Sequence, residues 1–163
     1  MIQAHKTKLP SKMEDSMLMA NVLSSYALKL KEQSTLTKKL ASTLIYASLA
    51  EFFCEELIRF LCASIEIKSK NHKVRLNTIR FNKEKSTNLE SALRKLKTLE
   101  YPNKTKIEEE ITIIKDSRNM VFHNLVRAGE KGLHLDIQML IVQDHTPVLR
   151  KLITYSILAL AEV

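Results

Sequence analysis

TLTKKLASTLIYASLAEFFCEELIRFLCASI, residues 35–65, decides the fold. Projected at about 100° per residue, Leu40, Leu44, Ala47, Ile58, Cys62 and Ile65 share one stripe, and Leu49, Phe53, Leu57 and Phe60 form a second. A helix that is apolar on two sides needs neighbours on two sides. The stretch contains neither Gly nor Pro, and Thr35 is a plausible cap at its start. It therefore predicts a long central helix with other helices packed around it.

Working outward, the same signals recur. Ser11 and Glu14 have capping-box spacing before an apolar-periodic stretch that runs to about Gln33. Met13, Met17 and Met19 on that stretch are expected to pack the first helix, although Met-rich faces also bind partners. Thr87 and Glu90 repeat the spacing before a helix ending near Tyr101-Pro102. Thr105 and Glu108 repeat it again before a helix that Gly129 closes. Glu108, Glu109 and Glu110 then fall in that helix's first turn, where they favour the dipole. Thr146-Pro147 reads as a cap followed by proline at the first helical position, opening a final helix. Two stretches are less regular. Residues 66–85 form a basic connector with room for a short helix over 76–81. Residues 133–142 alternate in polarity and fit either a strand or a helix packed from both sides.

Composition agrees with an all-α, up-and-down bundle of about five helices. Only two glycines and three prolines punctuate 163 residues, far fewer turn residues than a β-rich chain requires. With 45% hydrophobic residues, one domain over 1–163, with 1–10 as a basic lead-in, has material for a core. The net charge of +8 points to a polyanionic partner or to a generic basic surface. Cys54 and Cys62 lie too far apart on one helix to bridge, which suits a reducing compartment. No leader pattern opens the chain and no run of about 18 apolar residues occurs. The expectation is a cytoplasmic protein with no membrane segment.

Two charges interrupt the apolar stripes. Arg118 falls amid Ile107, Ile111, Ile114, Phe122 and Leu125, within roughly 40° on the helical projection. An unpaired guanidinium there would be costly, so it needs a partner, a wet cleft or a dimer seam. Glu51 sits at the centre of the first stripe of the long helix and is expected to approach Arg118. The pair is then either a structural ion pair or a carboxylate that positions Arg118 for a phosphate. Asn119 and His123, one helical turn apart, continue the polar arc from Arg118 toward solvent.

Arg118-Asn119-x-x-x-His123 resembles the R-x4–6-H motif of the HEPN superfamily, whose commonest form has a polar residue, often Asn, after the Arg. Chain length, helix order and the late position of the motif in a long helix also look like that family. Glu51 is similar to an acidic position that many members carry in an earlier core helix. The resemblance implies a metal-independent endoribonuclease in a toxin–antitoxin, phage-defence or RNA-processing setting. It further implies a homodimer in which two motifs share a cleft, with Arg118 and His123 catalytic, Asn119 supporting them, no cofactor, and an antitoxin or other protein as a further partner. One departure is that toxins paired with nucleotidyltransferase antitoxins carry a tyrosine two residues after the His, where this chain has Leu125. Regulation through that tyrosine is not expected here.

Such chemistry needs a base, an acid and positive charge at the phosphorane, and arginine's planar fork suits the last task. Lys68, Lys70, Lys73, Arg75 and Arg80 in the connector are expected to track the RNA backbone. Phe81 among them fits a core role better than base stacking. Two other readings stand beside the nuclease. One is a catalytically silent HEPN-like module that binds RNA, nucleotide or protein. The other is an unrelated helical regulator with a core Arg118–Glu51 pair. His5, His72, His134 and His145 lack metal-ligand spacing, and no glycine-rich phosphate loop or nucleophile elbow is present.

Overall fold

The computed structural model describes residues 11–33, 35–84, 86–127 and 144–161. Every regular element among them is a helix: α1 Ser11–Lys31, α2 Leu36–Lys68, α3 His72–Lys83, α4 Leu89–Leu96, α5 Lys104–Arg127 and α6 Thr146–Ala161. The protein is an all-α bundle with six helices among the described residues, one more than the sequence suggested. The lead-in 1–10, the Gly129 stop and the alternating stretch 133–142 lie outside these residues.

α2 is the hub and packs against each of the other five helices. Both of its predicted stripes meet neighbours. Leu49, Phe53, Leu57 and Phe60 are buried, as are Ala47, Ile58 and Cys62 of the other stripe, while Leu40 and Leu44 are half-buried and Ile65 at its end is exposed. α1 lies antiparallel to α2: Ser42 donates from Oγ to the Ala27 carbonyl at 2.8 Å, while Leu49 and Phe52 share a groove with Met19, Ala20 and Leu23. Thr35 is the residue before α2, in extended geometry, but its side chain makes no capping hydrogen bond. The helix runs on to Lys68, past the expected end near Ile65.

The largest correction concerns the basic connector. Most of it is α3, a twelve-residue helix that starts four residues before the short helix expected over 76–81 and ends two after it. Asn71 caps it, its side chain accepting from the backbone N–H groups of Lys73 and Val74. None of its residues is fully buried. Phe81 packs partly against the core, as expected. Lys95 Nζ lies 5.3 Å from its ring centroid and donates to its carbonyl at 3.2 Å.

Smaller shifts have local causes. The capping box of α4 is Asn88 with Ser91, not Thr87 with Glu90, and the helix ends at Leu96, well before Tyr101. α5 opens at Lys104 behind Asn103, whose φ of 54° is left-handed and whose carbonyl accepts from Ile107 N–H at 3.1 Å. Glu108, Glu109 and Glu110 therefore sit beyond the first turn, where no acidic residue lies. α6 opens one residue earlier than expected, since Leu149 N–H donates to the His145 carbonyl at 3.2 Å. Met19 is 58% exposed and does not pack the core.

Candidate functional site

The motif residues occupy the C-terminal half of α5. That helix buries Ile107, Ile111, Ile114 and Val121 against the bundle. The centre of this buried arc lies closer to Ile114 than to Arg118. Phe122 then falls roughly 65° from the centre and is 45% exposed, contrary to the expected core position. Arg118 projects within this arc, roughly 25° from its centre, yet it is only half-buried; Asn119 is half-buried and His123 is exposed. The arc from Arg118 to His123 thus begins, as expected, among the buried isoleucines, but at a half-buried side chain rather than a fully enclosed one.

Arg118 and Glu51 do not meet. No ion pair joins them, and Glu51 is half-buried on α2 without a hydrogen bond among the described residues. The cation rests instead on its own helix: Arg118 Cζ lies 5.3 Å from the Phe122 ring centroid, one turn further on. This arrangement accounts for an arginine in an apolar stripe without a carboxylate. A half-buried arginine can cover apolar surface with its aliphatic stem while its guanidinium rests near an aromatic ring. His123 has no hydrogen-bond partner among the described residues.

The five basic residues assigned to the RNA backbone, Lys68, Lys70, Lys73, Arg75 and Arg80, are all exposed at the end of α2 and along α3. Aliphatic Ile65, Ile67, Val74 and Leu76 are exposed among them. No group of three or more His, Cys, Asp or Glu side chains among the described residues is arranged to hold a metal. No described helix is long and apolar enough to cross a membrane.

Sequence reasoning passed over two polar clusters. In the first, Tyr46 on α2 donates from its hydroxyl to Asp144 Oδ1 at 3.2 Å, and that hydroxyl lies 3.3 Å from Thr146 Oγ1. His145 stacks edge-on against Tyr46, with ring centroids 5.3 Å apart. His145 is buried, and burial pushes its imidazole below the ordinary histidine value. This buried histidine belongs to the α2–α6 joint, not to the motif. In the second cluster, Tyr101 donates to Glu108 Oε1 at 3.2 Å. Burial, with the neighbouring Glu108 carboxylate adding to it, raises the Tyr101 phenol. Burial likewise raises the Cys54 thiol, and pushes that of Cys62 up to about 11. Neither thiol is a poised nucleophile. Nearby in sequence, Glu55 Oε1 is buried without a hydrogen-bond partner among the described residues. In the sequence Tyr46 carried no assigned role and Tyr101 only the end of a helix, because spacing does not show which hydroxyl reaches a carboxylate far away in sequence.

No family model, curated protein or solved structure matches the chain.

Proposed function

We propose that this protein is a HEPN-like, metal-independent endoribonuclease that cleaves RNA at a site shared by two copies of α5. The observation that carries the reading is the state of Arg118. Its guanidinium has no carboxylate or hydrogen-bond partner among the described residues and lies against the Phe122 ring. Its donors therefore remain for a phosphate. Asn119 and the exposed His123 lie on the same arc, and the exposed cations of α3 supply an electrostatic track for a polyanion.

In the proposed reaction the RNA 2′-oxygen attacks the adjacent phosphorus. The O2′–P bond forms and the P–O5′ bond breaks. The 2′-OH proton passes to a base and a second proton goes to the departing 5′-oxygen, giving a 2′,3′-cyclic phosphate and a 5′-OH. In-line displacement places base and acid on opposite sides of phosphorus. One His123 cannot serve both, so a second copy supplies the other, and the two Arg118 side chains offset the phosphorane charge.

A second reading is favoured by one observation. His123 is exposed and no side chain among the described residues fixes its ring orientation. That state suits a silent module that binds RNA through Arg118 and α3. Arg118→Ala and His123→Ala, checked for native helix content, separate the two readings. Loss of RNA cleavage in EDTA in both variants supports the nuclease. Salt-sensitive RNA binding with no cleavage by the wild-type chain supports the silent module.

A further inference from the structure

α1 is apolar on two opposite sides, and among the described residues only one of them has a neighbour. Ala20, Ser24 and Ala27 are buried in the bundle. Roughly 140–200° around the helix from them lies Val22 at 56% exposure, flanked by Leu18 at 66%, Met19 at 58% and Tyr26 at 54%. Exposed Asp15 and Lys29 close the two ends of this stripe. All six side chains project within roughly 60° of the Val22 direction. Exposed apolar surface on this scale, on the order of 400 Å², is at the size that marks an interaction site.

We propose that the outward face of α1 is a two-fold contact with a second copy of this chain. The stripe is symmetric about Val22. Leu18 and Tyr26 stand four residues to either side of it, and Asp15 and Lys29 seven. In an antiparallel pairing with the axis at Val22, each Val22 meets the partner's Val22 and each Leu18 meets the partner's Tyr26. Each Asp15 then faces the partner's Lys29. A two-fold contact requires this reciprocity, in which the patch is complementary to itself. A partner with a face of uniform charge would meet a like charge at one end of the stripe; a second copy meets opposite charge at both. A groove of about 440 Å³ lined by Met19, Leu23, Leu49 and Phe52 adjoins the Leu18 end. That is the end the partner's Tyr26 reaches.

This contact does not rest on the nuclease reading. α1 packs on α2, whereas α5 packs on α2, α4 and α6, without substantial contact between α1 and α5. Pairing through α1 and pairing through α5 therefore use different faces, and a chain with both builds a closed tetramer or a longer array. About 800 Å² of total burial is below the standard interface size. The α1 contact is accordingly reversible and depends on concentration.

The test uses the full chain. Cys54 and Cys62 are buried, so Val22→Cys introduces the accessible thiol. Mild oxidation at about 100 μM should give a disulfide-linked dimer, because the two thiols face each other across the axis. Asp15→Lys should weaken self-association by about tenfold by setting like charges against each other at both ends. Adding Lys29→Asp to the same chain should restore it, as measured by sedimentation velocity. A Val22→Cys chain that stays unlinked, or a self-association that neither charge change moves, overturns the proposal. RNA cleavage is read in a separate assay, so the α1 and α5 proposals fail independently.

Discussion

Removing one oxygen, by Tyr46→Phe, tests how the ends of this chain are tied together. The Tyr46 ring is buried at 1% exposure and bridges α2 to the start of α6, about a hundred residues later in sequence. Its hydroxyl donates to Asp144 Oδ1 at 3.2 Å and lies 3.3 Å from Thr146 Oγ1. Both distances exceed the usual O–H···O spacing of about 2.7–2.8 Å. The loss therefore belongs at the low end of the range for a bond to a charged group, about 1.5 kcal/mol. Asp144 is exposed, so water replaces the lost donor and no buried charge is stranded. Phenylalanine keeps the edge-on contact with His145. For a chain of this size the loss lowers Tm by about 3–6 °C, readable by calorimetry and urea titration at pH 7. The pH dependence adds a sign. Burial alone would raise the Asp144 carboxyl, but hydrogen bonds from Thr146 and Tyr46 outweigh it and hold it below its ordinary 3.8. A carboxyl lowered in the folded state stabilises above its unfolded value and loses that contribution as pH falls through the folded one. The penalty of Tyr46→Phe should therefore shrink as pH falls below the ordinary carboxyl value of 3.8 and through the lower folded one. A loss under about 0.3 kcal/mol at pH 7, or a penalty that grows in acid, would refute the reasoning.

His145 is held below its ordinary 6.5 by burial, so the unfolded chain binds more protons. Stability should fall as pH drops below about 6.5, and His145→Phe should flatten that slope in urea titrations between pH 7.5 and 5.5. The Cys54 and Cys62 thiols should resist a thiol reagent at pH 8 until denaturant is added, because both are buried and their thiolates are disfavoured. Replacing Lys73, Arg75 and Arg80 together with glutamine should leave helix content unchanged. It should lower the slope of log RNA affinity against log salt by about 2–3, measured by fluorescence anisotropy.

The architecture was legible wherever apolar spacing and burial agree. α2 announced itself because both of its apolar stripes face neighbours, and α6 because Val148, Leu149 and Leu152 repeat at helical spacing next to Pro147. α3 was obscured because its lysines and arginines hide the periodicity, and its cap, Asn71, precedes a run with no fully buried residue. The α4 cap slipped by one residue because Thr87, Asn88, Glu90 and Ser91 offer two overlapping capping boxes, and sequence does not say which oxygen reaches the backbone. At the candidate site, spacing correctly put Arg118, Asn119 and His123 on one arc. It missed how far the bundle covers α5. Periodicity shows which residues share a face, not where that face runs out of neighbours. For that reason Phe122 was expected in the core, and Glu51 was expected to answer a charge that Phe122 answers instead.

The central claim is that α5 carries an RNA-cleaving site, and the chemistry of the product ends tests it most directly. Wild-type chain is incubated with a structured RNA and with DNA of the same sequence, both in EDTA, and the fragment ends are identified by mass spectrometry. The account predicts RNA fragments ending in 2′,3′-cyclic phosphate and 5′-OH, with the DNA intact. Uncut RNA, 5′-phosphate ends, or equal cleavage of the DNA would contradict it.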